Sequence, residues 1–238
     1  MSLAEEFSIR YAGLRQAYGT FTASDETRED GKASGKNITI SKELSDKDLL
    51  KLWENHLSGR QSVGIVPIDE HNNCVWGAID VDEYQIDLKD LAVKIAKQKL
   101  PLVVCRSKSG GAHIYIFLTE PVAASMLQRK LRQVAAAIGY GQTEIFPKQT
   151  QLLLERGDRG STLNMPYFGG ENSTRYAYGK DGAALTPQEF LEYCKEIELK
   201  PSALESLEAS PLTESVQWLD QSPPCLQHLV VQGFPKGT

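Results

Sequence analysis

No apolar run in this chain approaches the length of a membrane span. The start, Met1-Ser2-Leu3-Ala4-Glu5-Glu6, carries acids where a secretory signal has basic and then apolar residues. Both point to a cytoplasmic protein with no membrane partner. Cysteine is also sparse. The 4 residues, Cys74, Cys105, Cys194 and Cys225, are scattered and form no CxxC pair. That argues against a disulfide framework and against a zinc site complete within the chain. Basic excess is missing too, with 26 Lys and Arg against 31 Asp and Glu and a net charge of −5. A protein that coats nucleic acid through charge alone is disfavoured. A nucleic-acid enzyme with locally placed basic residues is not. No internal repeat is present. What is there, 41% hydrophobic and 24% charged residues over 238 positions, suits one large or two small globular domains.

Residues 1–22 read as a helix reaching an aromatic turn at Tyr18-Gly19-Thr20-Phe21. Residues 22–37 are polar, contain Gly31 and Gly35, and read as a mobile loop. Lys32 and Lys36 could touch phosphate there, but a solvated loop explains them better. Ser45 caps a helix through Leu57, and Val63–Ile68 is a strand. Asp69–Asn73 is a hairpin-like turn into an apolar strand ending near Asp82, after which Asp87 caps another helix. Leu102–Val104 and His113–Leu118 are buried strands, and Pro121 is expected to open a helix to about Ile138. Thr143–Phe146 and Gln151–Leu154 read as short strands. Thr186-Pro187-Gln188-Glu189 is a capping box with proline in the first turn. Helices alternate with strands, but hairpins lie among them, so the class is mixed α/β or α+β and not a doubly wound parallel sheet. From Lys200 serine, glutamate and proline become frequent, as in a linker over 200–222. Pro223-Pro224-Cys225-Leu226 then reads as the start of a truncated C-terminal region over 223–238.

The chemistry concentrates in four segments. In Trp76-Gly77-Ala78-Ile79-Asp80-Val81-Asp82, alternate strand residues share a face, so Asp80 and Asp82 project side by side. Two carboxylates there repel unless a cation sits between them, and a hard oxygen-ligated ion such as Mg²⁺ fits. Taken alone, the pair fits slightly better as a strand running out into an acidic turn, since Glu83 follows. The second segment, Arg106-Ser107-Lys108-Ser109-Gly110-Gly111-Ala112-His113, suits an anion. Its glycines let backbone N–H groups approach, its hydroxyls donate, and Lys108 and Arg106 add charge. A glycine hairpin with a structural histidine is the bland alternative. Glu144, on a short strand, is a third carboxylate for the metal or a surface residue. Asn164 and Tyr167 suit a sugar or base and Arg175 a phosphate, though each alone also fits a turn or packing role.

In this order the segments resemble the catalytic domain of archaeo-eukaryotic-type primases, in particular primase-polymerases of phages, plasmids and mobile elements. An apolar strand ending in D-x-D/E matches Ala78–Asp82, a serine–histidine turn matches Arg106–His113, and an acid-bearing strand matches Glu144. Asn164–Phe168 and Thr174–Tyr176 resemble the segments that follow, so the likeness spans residues 10–197. Many members have aspartate where Glu144 stands, a departure of one methylene. The resemblance implies an α+β core, an N-terminal α/β part plus an RRM-like antiparallel sheet, within a catalytic domain over 1–199. It implies DNA primase or polymerase activity on a single-stranded DNA template with NTP or dNTP, and often a helicase nearby. Asp80, Asp82 and Glu144 would hold two Mg²⁺ or Mn²⁺ ions. Arg106, Ser107, Lys108, Ser109 and His113 would take the triphosphate, and Asn164, Tyr167 and Arg175 the sugar, phosphate or template. Residues past about 200 are then expected to be dispensable for nucleotide addition and useful in initiation. Cys225 and His228 could begin a zinc site, although a small core element suits them better. Two other readings compete. A metal-dependent nuclease or phosphohydrolase would use the same acids with His113 as acid or base. A non-catalytic nucleic-acid-binding replication module would stack bases on aromatics and needs no clustered acids.

Overall fold

A computed structural model describes residues 1–27, 33–83 and 85–212, with backbone alone for 22–27 and 33–37. The pieces expected at 28–32 and 213–238, including Lys32, Cys225 and His228, lie outside the described residues. Among the described residues two four-stranded sheets form, both antiparallel in every pairing. The first joins β1 (Ala17–Thr27), β2 (Ala33–Ser41), β3 (Gly64–Ile65) and β8 (Leu163–Asn164) in the order β2-β1-β3-β8. The second joins β4 (Asn73–Val81), β5 (Val103–Arg106), β6 (Ala112–Ala123) and β7 (Glu144–Phe146) in the order β5-β6-β4-β7. Helices α3 (Leu88–Lys97) and α4 (Ala124–Ala137) connect β4 to β5 and β6 to β7. That is a split β-α-β-β-α-β arrangement.

Local chemistry explains the helices. Ser2 with Glu5, Ser45 with Asp48 and Thr186 with Glu189 each close a capping box on α1 (Leu3–Arg10), α2 (Asp46–Leu57) and α5 (Pro187–Ile197). Asp87 accepts from Lys89 and Asp90 N–H at the start of α3. The second sheet is buried on both faces, so its strands are apolar almost without interruption. Ile79, Val81, Ile114 and Ile116 face α3 and α4 in one core. Trp76, Ala78, Tyr115 and Phe117 face a second, aromatic core with Phe7, Tyr11, Trp53 and Phe190 from α1, α2 and α5.

Several expectations change, beginning with the aromatic turn at Tyr18-Gly19-Thr20-Phe21, which lies inside β1. Residues 22–27 and 33–37 belong to the paired strands β1 and β2 and not to a loop. The ladder from Ala17↔Ser41 to Thr27↔Ala33 is carried by backbone bonds, which polar residues support without any apolar periodicity. Pro121 lies inside β6, in the irregular stretch between the pairings of Phe117 and Val122, where its missing N–H costs no ladder bond. Helix α4 starts at Ala124. Gln151–Leu154 forms no strand. Asn72 Oδ1 accepts from Leu152 N–H at 2.7 Å, and Leu154–Arg156 is a single 3₁₀ turn. Finally, the expected linker is packed up to 212. Helix α6 (Pro201–Leu204) buries Leu204 completely, and Leu207, Ala209 and Leu212 lie against the core of α3 and α4.

Candidate active site

The second sheet sets Glu144, Asp80, His113 and Cys105 in one row. Asp80 is opposite Glu144 on one side and His113 on the other, and His113 is opposite Cys105. Residues in register project to the same face. The face is that of the aromatic core, at the end where the core stops, so polar side chains can stand there. Exposure grows along the row, with side chains 9% exposed at His113, 14% at Asp80 and 58% at Glu144. His113 Nε2 lies 3.3 Å from Asp80 Oδ1. Glu144 Oε2 is held by Lys148 Nζ at 2.5 Å. Asp82, just past the strand, completes the group. Its pKa is raised by burial first, then by the Asp80 and Glu144 charges, with His113 and Lys148 acting against them. These carboxylates therefore sense one another across a shared space.

The row is all oxygen on its acidic side, the donor set a hard divalent cation takes. The repulsion that raises Asp82 is the strain a cation would relieve. On chemistry the residues fit such an ion. On geometry they stand open: among the described residues no three His, Cys, Asp or Glu side chains close into a ligand set.

The glycine turn abuts the end of β4. Ser107 N–H donates to the Gly111 carbonyl at 2.8 Å, and Gly110 N–H to the Ser107 carbonyl at 3.2 Å. The Ser107 and Ser109 hydroxyls are 3.1 Å apart. A Cβ on Gly111 would stand 2.1 Å from the Val81 carbonyl oxygen and 3.4 Å from Asp82 Cα. Only glycine allows that approach, and it sets the anion-suited turn beside the acids. Lys108 Nζ rests 2.8 Å from the centroid of the Phe21 ring on β1.

The remaining candidates separate. Arg106 N–H donates to the Tyr176 carbonyl at 3.0 Å, and its guanidinium reaches the Thr174 carbonyl at 3.4 Å. Ala177 pairs with Cys105, so this stretch runs along the edge of β5 and carries Arg175 toward the same end of the sheet. One Arg175 terminal nitrogen is buried without a hydrogen-bond partner, and the guanidinium lies 5.1 Å from the Phe168 ring. Burial lowers its pKa, partly countered by Tyr115. Asn164 sits on β8 in the other sheet, opposite Gly64. Tyr167 is a correction: it is 1% exposed in the aromatic core. Its hydroxyl donates to the Leu185 carbonyl and accepts from Ala177 N–H, each at 3.0 Å, which leaves nothing for a sugar.

Two contributors escape the sequence reading. Lys148 is four residues from Glu144, in a segment whose acid drew the attention. Tyr115 bonds His113 at 3.1 Å, and its signal was the same two-residue strand spacing that pairs Asp80 with Asp82.

Two antiparallel sheets flanked by helices, with an acidic row on the split β-α-β-β-α-β sheet, make the core of a primase-like domain. The chain belongs to the archaeo-eukaryotic primases: residues 7–200 match the family described as TOTE conflict system, Archaeo-Eukaryotic Primase domain. That is a family of primase-like nucleotidyl transfer, with nucleic acid and nucleotides as substrates and a typical dependence on divalent metal. No curated protein matches the chain. Among the described residues, no helix is long and apolar enough to cross a membrane.

Proposed function

We propose that this domain joins nucleotides on a single-stranded DNA template, as a primase, a DNA polymerase or both. The observation that carries the reading is the row of Asp80, Asp82 and Glu144 beside a serine–lysine–glycine turn in a chain of the primase family. The three carboxylates would hold Mg²⁺ or Mn²⁺. Bound there, a pair of such ions supplies charge neutralisation and lowers the pKa of an attacking hydroxyl. Ser107 and Ser109 donate to the triphosphate, and Lys108 leaves the Phe21 ring to pair with it. His113 presents Nε2 to the same anion from beside Asp80. Lys148 pairs with Glu144 and holds in place the carboxylate that would take the ion. Arg106 and Arg175 offer further positive charge to phosphate or template, and Asn164 lines the sugar side.

The test is synthesis on single-stranded template, with and without a primer, with labelled NTPs and dNTPs and with Mg²⁺ or Mn²⁺. Nucleotide-dependent elongation, lost in Asp80→Ala/Asp82→Ala, is expected. Shortening of the strand without nucleotides would replace this reading with a nuclease. Nucleotide binding indifferent to EDTA, with no synthesis, would replace it with a non-catalytic module.

A further inference from the structure

Tyr115 stands two residues after His113 on β6, so the two side chains share a face. Its hydroxyl lies 3.1 Å from His113 Nδ1, while His113 Nε2 lies 3.3 Å from Asp80 Oδ1. The Tyr115 ring has no room to swing. It is 0% exposed, with Tyr11, Trp76 and Phe117 at centroid distances of 5.4, 5.9 and 5.9 Å. Burial, with Cys105 and Asp80 adding to it, raises its pKa well above the ordinary phenol value, so the hydroxyl keeps its proton.

These contacts decide where the imidazole proton sits. An ionised carboxylate only accepts, so the nitrogen facing Asp80 must be the one that carries hydrogen. In the neutral ring Nδ1 is then a bare acceptor, and the group 3.1 Å from it is a hydroxyl able to donate. We propose that Tyr115 is the positioning residue for His113: its hydroxyl donates to Nδ1, fixes the ring plane and keeps the proton on Nε2, the nitrogen turned to Asp80 and the triphosphate. The role of His113 toward nucleotide rests on the function proposed above; the tautomer does not.

Tyr115→Phe removes one oxygen and keeps the buried ring. Long-range ¹H–¹⁵N spectra of ¹⁵N-histidine protein read the tautomer directly, and His113→Gln identifies the resonance among the 4 histidines. The wild type is expected to show the Nε2–H form, and Tyr115→Phe a mixture of both tautomers. In primer extension Tyr115→Phe is expected to raise the KM for nucleotide about ten-fold with little change in kcat. It should add nothing in a His113→Ala background, because the two residues act as one unit. An unchanged His113 resonance in Tyr115→Phe would overturn the proposal, as would losses that multiply in the double variant. A wild type without synthesis would sink the function reading, and the tautomer shift would still decide the case for Tyr115.

Discussion

His56 is fully buried and uses both ring nitrogens. Nδ1 accepts from Val63 N–H at 3.0 Å, and Nε2 donates to the Pro166 carbonyl at 2.8 Å. It thereby ties α2 to the chain beside the neighbouring strands β3 and β8 of the first sheet. Burial pushes its pKa down to about 4; the Pro166 bond acts the other way and the Arg175 charge adds to the depression. The unfolded chain takes up this proton near pH 6.5, before the folded one does. Stability is therefore full above pH 6.5 and declines as pH falls from 6.5 to 4, by about 3 kcal/mol in all. Urea midpoints should show that fall in the wild type. His56→Gln should be less stable at pH 7 but flatter across the same window. The opposite sign applies at Asp82, whose raised pKa means protonation favours the fold, so the difference between the two proteins isolates His56. The acids make a second case. If Asp80, Asp82 and Glu144 share a cation, Mn²⁺ at 100 times its Kd should stabilise the wild type by about 2.7 kcal/mol, reversed by EDTA. Asp80→Ala should keep its circular dichroism, show no Mn²⁺ shift and lose synthesis. A full Mn²⁺ shift in Asp80→Ala would remove that residue from the metal site.

The turn between β5 and β6 is the element on which the site depends most narrowly. A methyl at Gly111 would collide with the Val81 carbonyl, part of the backbone, and backbone has nowhere cheap to go. Gly111→Ala is expected to push the turn away from Asp82, lowering kcat/KM at least ten-fold and destabilising the fold by about 1–3 kcal/mol. Ala at Gly139 meets no atom within 4 Å, so its cost is only that of a left-handed φ of 96° on a residue with Cβ. Activity in Gly139→Ala should therefore persist, and equal losses in the two variants would detach the turn from the site. This element was legible because polar residues and glycines interrupt two apolar strands. The same contrast made Asp80 and Asp82 stand out. The β1–β2 hairpin was not legible, since its ladder is made by the backbone and its residues alternate nothing apolar. Tyr167 was misread for a related reason: its polar tip suggested a ligand, but backbone groups on either side of it use both the donor and the acceptor.

Among the described residues two cores share the second sheet, and the chain after α5 closes the helical one. Leu199 N–H donates to the Phe117 carbonyl at 2.9 Å, and Thr119 N–H to the Leu199 carbonyl at 3.0 Å, which fixes the strap where it begins. Leu204 then enters the core. Lys130, 7% exposed on α4, donates to the Glu205 carbonyl at 2.7 Å and the Leu207 carbonyl at 3.2 Å. Gln98, at the end of α3, bonds Ser210 and Pro211. Composition hid this, because serine, glutamate and proline outnumber the leucines that do the packing. The expectation that everything past residue 200 is dispensable for nucleotide addition is accordingly divided. Cutting after Lys200 exposes the core surface that Leu204 covers, worth about 2–3 kcal/mol, and removes both carbonyls that hold the Lys130 ammonium. That protein should have a urea midpoint well below the full chain and should lose primer extension on warming. A chain cut after Leu212 keeps every one of these contacts and should match the full chain in stability and extension. Equal stability in the two shortened proteins would show that the strap rests on the core without holding it.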